Sequence, residues 1–185
     1  MSVGSFVVDT MSIEVETPIL ASPERVYAAI TEHVAQWWGS PYLHRDDATA
    51  LYLDPSIGGD FWEEWPDGGG ALWGRVVCLQ PGALVAIDGP MGMPGPVTSM
   101  VRMTLKAHGG SDYDGAGAAE DLATIVRVTH RAFGRLTVDM KQEYAIGWDD
   151  LIRLRLKPFV EQDVRHGLGH SMPPEAQARL QEHDE

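Results

Sequence analysis

One stretch near the C-terminus constrains the fold more than any other: Tyr144-Ala-Ile-Gly-Trp148-Asp-Asp-Leu151-Ile-Arg-Leu-Arg155-Leu-Lys-Pro-Phe159. At about 100° per residue, one broad helical face collects Tyr144, Gly147, Trp148, Leu151, Ile152, Leu154 and Phe159. The opposite face collects Asp149, Asp150, Arg153 and Lys157 and reads as solvated. Arg155 alone breaks the pattern, a guanidinium in the middle of the apolar face. No earlier stretch offers a helix of comparable length. A chain with one long amphipathic helix and an otherwise strand-like pattern must bury its sheet against that helix.

The strand pattern is short and repeated. Ser12 to Leu20 alternates Ile13 and Val15 against Glu14 and Glu16, a half-buried strand whose Pro18 places it near an edge. Ser22 is an N-cap and Pro23 a first helical residue, predicting a helix to about Ile30 and a second short one from Thr31 to Trp38. Strands follow at Ala48–Leu53, Asp60–Trp65, Ala71–Leu79, Ala83–Asp88, Val97–Lys106 and Leu122–Ala132, separated by Gly/Pro turns. Residues 108–121 read as an extended, mobile hairpin tip, and 89–96 as a Gly/Pro/Met loop. The long helix starts between Leu136 and Lys141, and Pro158 is expected to end or kink it. The expected organisation is a flexible arm (1–11), one α+β domain (12–162) and a polar tail (163–185) with a short helix from Pro173 to Gln181. The sheet has about six or seven antiparallel strands by pattern.

Composition narrows the partners. A formal net charge of −13 argues against nucleic acid and against anionic lipid surfaces. The single Cys78 excludes an internal disulfide, and its run Val76-Val77-Cys78-Leu79 reads as buried. No apolar run reaches membrane-spanning length, and the N-terminus lacks a basic signal-peptide start, so cytoplasmic is the default expectation. No cofactor is expected. Phosphate loops and Gly-flanked nucleophilic serines are missing, as are the Cys/His sets of iron sites. His166 and His170 have helical spacing, but Gly167 and Gly169 undermine the helix; Asp112-Tyr-Asp114-Gly115 is only a fragment of a calcium loop. No metal site is predicted.

Several motifs in order resemble the START-like SRPBCC superfamily, and within it the homologues of the heat-shock-protein-90 ATPase activator C-terminal domain. They are Ile19-Leu-Ala-Ser-Pro-Glu-Arg-Val26, Trp37-Trp38, Pro55-Ser-Ile-Gly58-Gly59, Gly74-Arg-Val76 followed by Pro81, Thr124 and His130 on the last strand, and Gly147-Trp148-Asp-Asp-Leu151. The resemblance implies a helix-grip fold: a curved antiparallel sheet wrapped around the C-terminal helix, with two short helices after the first strand. It also implies a pocket for a hydrophobic or amphipathic small molecule or lipid between sheet and helix. Alternatives within the family are a polyketide cyclase or hydratase-like enzyme and a co-chaperone-like or regulator-interaction module. A chaperone partner follows from the likeness alone, and homodimerisation is left open. The expanded loops 89–96 and 108–121 leave any inherited ligand identity in doubt.

Candidate ligand-binding residues are Trp38, Trp62, Glu64, Trp73, Met103, Val128, His130, Tyr144, Trp148, Leu151 and Arg155. Catalytic residues are not identified, with His130 and Arg155 the candidates. Tryptophans cluster at 37, 38 and at 62, 65, 73, where core and rim packing is favoured over a ligand cage. Met91, Met93, Met100, Met103 and Met140 suit an adaptable wall, with core filling the preferred reading. Arg155 either reaches inward to a carboxylate or phosphate head, or lies past the cavity, snorkelling outward or pairing with an acid on the sheet. The second reading is favoured because fully buried Arg is rare. Glu64 shares a strand face with Trp62 as an inward acid; the opposite register, with Phe61 and Trp65, would turn Glu63 inward instead. His130 sits on the face of Val126 and Val128 as an acid/base or, more simply, a hydrogen-bonded rim histidine.

Overall fold

The computed structural model describes residues 7–108 and 123–183. Seven antiparallel strands form one curved sheet in the order β1-β7-β6-β5-β4-β3-β2. They are β1 (Asp9–Ile19), β2 (Ala50–Leu53), β3 (Asp60–Glu64), β4 (Gly70–Gln80), β5 (Leu84–Asp88), β6 (Val97–His108) and β7 (Ala123–Gly134). The period-2 alternation sends Val15, Val85, Val101, Met103, Val126 and Val128 to one buried face, while Arg127, Arg131 and Glu16 line the other. Because β1 pairs with β7, the first and last strands lie side by side in the sheet. The expected hairpin tip lies outside the described residues, except for His108 at the end of β6; so does Asp112–Gly115.

Helix α1 (Pro23–Thr31) is capped by Ser22, whose Oγ accepts from the Arg25 backbone N–H. Helix α2 is a single turn (Val34–Trp37), shorter than predicted, and buries Trp37 with its Nε1 donating to the Ala29 carbonyl at 2.9 Å. Strand β1 begins at Asp9 rather than Ser12, because residues 9–11 pair with 132–134 and Met11 buries against Met93, Ala132 and Leu136. Cys78 is half-buried, displaced by a register shift between Val76 and Cys78.

The long helix runs continuously through 138–162. Its first part, α3 (Val138–Asp149), is α-helical from the Thr137 N-cap. Asp150–Leu156 is a wide π-helical segment, and α4 (Lys157–Gln162) closes the helix at Asp163, which adopts left-handed φ. Pro158 therefore does not end the helix. It falls at the second residue of α4, where the wide turn gives way to α, and its missing N–H meets an already altered ladder. A last helix, α5 (Pro174–His183), follows the tail. The tail packs back on α2: Gly167 N and Leu168 N donate to the Gln36 and Ala35 carbonyls.

The π segment corrects the expectation for Asp150. Read at α-helical increments it faces solvent; in the wider turn, residues five apart share a face, and Asp150 is 1% exposed. Its Oδ2 accepts from Arg155 Nε at 3.0 Å.

Candidate functional site

A cavity of about 550 Å³ lies between α3, the loop after α2 and the 89–96 loop. From the helix come Met140, Glu143, Tyr144, Ile146, Trp148 and Leu151. The loop after α2 supplies Tyr42, Leu43 and His44, β4 supplies Trp73, and the 89–96 loop supplies Met91 and Gly92. The helix can approach because position 147 is glycine: a Cβ there would sit 3.1 Å from the Tyr42 ring.

Each wall is pinned by a specific polar contact. Trp38 Nε1 donates to the Tyr42 carbonyl at 2.6 Å. Glu63, fully buried, accepts from the His44 and Arg45 backbone N–H groups at 3.0 and 3.1 Å. The same carboxylate accepts from Trp65 Nε1 at 2.7 Å and Trp73 Nε1 at 3.2 Å. Four donors compensate the burial of its charge. Opposite, Tyr144 Oη donates to the Met91 carbonyl at 2.8 Å. Met91 and Gly92 both take left-handed φ, which folds the loop inward; a Cβ on Gly92 would lie 2.8 Å from the Trp73 ring. The Met91 N–H completes the join, donating to the Trp73 carbonyl at 2.9 Å.

His130 stands behind this wall. It is fully buried, and its Nδ1 accepts from Trp148 Nε1 at 2.9 Å, which leaves the neutral ring's proton on Nε2. That Nε2 has no partner among the described residues. Burial pushes the ring's pKa down to about 4, so it is uncharged at neutral pH. Tyr144, whose ring lies edge-on to His130, has its pKa raised by burial and secondarily by the Glu143 carboxylate.

Of the candidate residues, the structure brings Trp38, Trp73, Tyr144, Trp148 and Leu151 to the cavity. Met103 and Val128 lie in the packed core beneath, and His130 touches Trp148 and Tyr144 from behind. Trp62 and Glu64 do not line it. They share the outer sheet face, where Trp62 packs on Tyr52, because Phe61 and Glu63 take the inward positions of β3. The inward acid is Glu63, and it is already fully engaged. Arg155 also lies off the cavity. It is fully buried, pairs with Asp150 on its own helix, and donates to the carbonyls of His166 and Ser40 at 3.0 Å each. It neither snorkels nor meets an acid on the sheet; its arm instead ties helix, loop and tail together.

Among the methionines, Met91 and Met140 line the cavity, Met93 joins the small cluster under β1, and Met100 is exposed. The missed residues are Tyr42, His44, Gly92, Glu143 and Ile146. Their one sequence signal is the aromatic-apolar run Tyr42-Leu43-His44 inside a polar loop. Among the described residues no three His, Cys, Asp or Glu side chains group to hold a metal, and no helix is long and apolar enough to cross a membrane.

No protein-family model matches the sequence, and no curated protein matches it. Solved structures do. A conserved protein of unknown function from Enterococcus faecalis, EF2215, is 15% identical with a TM-score of 0.56, over 95% of this chain and 85% of that one. CalU16 from Micromonospora echinospora is 16% identical with a TM-score of 0.54, over 97% and 93%. DynU16, a protein of the dynemicin biosynthetic locus, is 21% identical with a TM-score of 0.56; the match covers 84% of this chain and 49% of that one. Such identities speak to architecture and leave substrate open. With a seven-stranded curved sheet closed on a long C-terminal helix, the chain has a helix-grip fold.

Proposed function

We propose that this protein binds an apolar or amphipathic small molecule in the cavity between α3, the loop after α2 and the 89–96 loop. The observation that carries the reading is the cavity itself: about 550 Å³, walled by Trp38, Trp73, Tyr144 and Trp148. That size lies within the range of about 300–1,000 Å³ typical of small-molecule sites. The sequence likeness to the ATPase-activator homologues adds no partner to this reading, which stands on the cavity alone.

His44, Glu143 and Tyr144 reach the cavity wall, but binding is favoured over catalysis by where the other acid/base candidates sit. Arg155 and Glu63 are each held by several protein partners, and His130 lies behind Trp148 rather than in the wall. An acid/base mechanism needs such groups converging on a reacting atom within hydrogen-bond reach.

The test is a fluorescence titration with N-phenyl-1-naphthylamine, an uncharged aromatic probe. One saturable site is expected, and Ile146→Trp, which fills the cavity from the helix side, should weaken binding by about ten-fold or more. Non-saturating emission, or equal affinity in the filled variant, would overturn the proposal.

A further inference from the structure

We infer that the cavity selects hydrophobic cations, such as an aromatic or quaternary ammonium compound, over anions of the same shape. The inference rests on the reading of the cavity as a ligand site and concerns what that site prefers.

The first observation is what the walls withhold. Trp38 Nε1 is spent on the Tyr42 carbonyl, Trp73 Nε1 on Glu63, Trp148 Nε1 on His130 and Tyr144 Oη on the Met91 carbonyl. These side chains therefore turn their N–H and O–H donors into the protein and leave ring carbon toward the cavity. A carboxylate or phosphate entering here would lose its hydration without gaining those donors. The guanidinium that could have received an anion, Arg155, is likewise committed elsewhere.

The second observation is the sign of the charge at the site. Among the described residues no Lys or Arg lines the cavity, and the one carboxylate is Glu143, an exposed residue at the rim. Aromatic faces attract cations through the ring quadrupole. The protein already uses this chemistry at the cavity's edge, where the Arg155 guanidinium carbon lies 4.9 Å from the centre of the Tyr42 ring. Over the whole chain a formal net charge of −13 draws cations toward the surface and repels anions. Four aromatic side chains with their donors engaged, their π faces, a rim carboxylate and the overall field all point to the same class of ligand.

Three bicyclic probes of nearly one shape separate the cases in equilibrium dialysis: 1-methylquinolinium (cation), 1-methylnaphthalene (neutral) and 1-naphthoate (anion). The cation should bind about ten-fold more tightly than the neutral probe, and the anion least tightly. Glu143→Gln should cut the cation's advantage over the neutral probe by about two- to three-fold. A cation no tighter than the neutral probe, or an anion as tight as either, overturns the inference while leaving a neutral ligand site standing. Failure of all three probes to bind overturns the proposed function along with it.

Discussion

The two halves of the long helix live in different surroundings. In α3 only Gly147 and Trp148 are buried, and the remaining inward residues face a cavity. In the π segment five of seven residues are buried, among them the Asp150–Arg155 pair. One half is therefore held by solid packing and a buried ion pair, and the other can afford open space. The difference shows how a helix-grip domain keeps a cavity: the helix is anchored at one end, so the other need not collapse onto the sheet. A wide turn is what makes the anchor, since it brings residues five apart onto one face.

The comparison breaks most directly at Arg155. Arg155→Ala strands Asp150 as a buried charge and leaves the Ser40 and His166 carbonyls without their donor, a loss of about 3–5 kcal/mol in urea denaturation. A loss below about 1 kcal/mol would show that the anchor is not one. Replacing both partners, as Asp150→Leu with Arg155→Met, should recover most of the stability.

Next in size is a pH effect behind the open half. His130 titrates near 6.5 when unfolded, against about 4 in the fold, so the native state binds its proton less readily. Its contribution is fully present above the unfolded pKa and is lost as pH falls from about 6.5 toward 4, amounting to about 3 kcal/mol. Denaturation midpoints between pH 7 and 4.5 should fall in the native protein, and much less in His130→Gln, measured against their own pH 7 values. Parallel slopes would exclude His130 as the source.

Smaller still is Tyr144→Phe, which removes the hydroxyl bond to the Met91 carbonyl. It should cost about 1 kcal/mol while shifting probe affinity, because that bond holds one cavity wall. The smallest effect belongs to Glu143→Gln: a stability change within about 0.5 kcal/mol, read as an unmoved thermal midpoint. If this rim substitution destabilised the protein as much as Arg155→Ala, the two halves would not differ at all.

Much of this fold was legible because alternation and the helix stripe are local signals. Each predicted strand is present within a few residues, and Ser22–Pro23 does open α1. What escaped was whatever depends on geometry between elements. On β3, Trp62/Glu64 and the opposite register with Phe61, Glu63 and Trp65 were both open as inward sets by pattern, and Trp62 and Glu64 stood among the candidates. Of the four donors that meet a carboxylate at Glu63, two are backbone N–H groups of the 44–45 loop and one is the indole of Trp73 on the neighbouring strand, none of which local periodicity reveals. Asp150 was misplaced because α-helical spacing was assumed through a π segment. Leu151 and Trp148, which keep to the α-helical stripe, were placed on the inward face correctly, and the loop residues Tyr42, His44 and Gly92 had no periodicity to be read from.

The indole bonds described above also have an optical consequence. Three of the six tryptophans, Trp38, Trp73 and Trp148, line the cavity, and Trp37 lies 5.6 Å from Trp38. Trp62 is on the far side of the sheet and Trp65 lies under Arg45. Most of the protein's indoles therefore lie in or against one chamber. An electron-accepting guest that enters should dim the blue-shifted part of the spectrum first and leave the light from the outer pair behind.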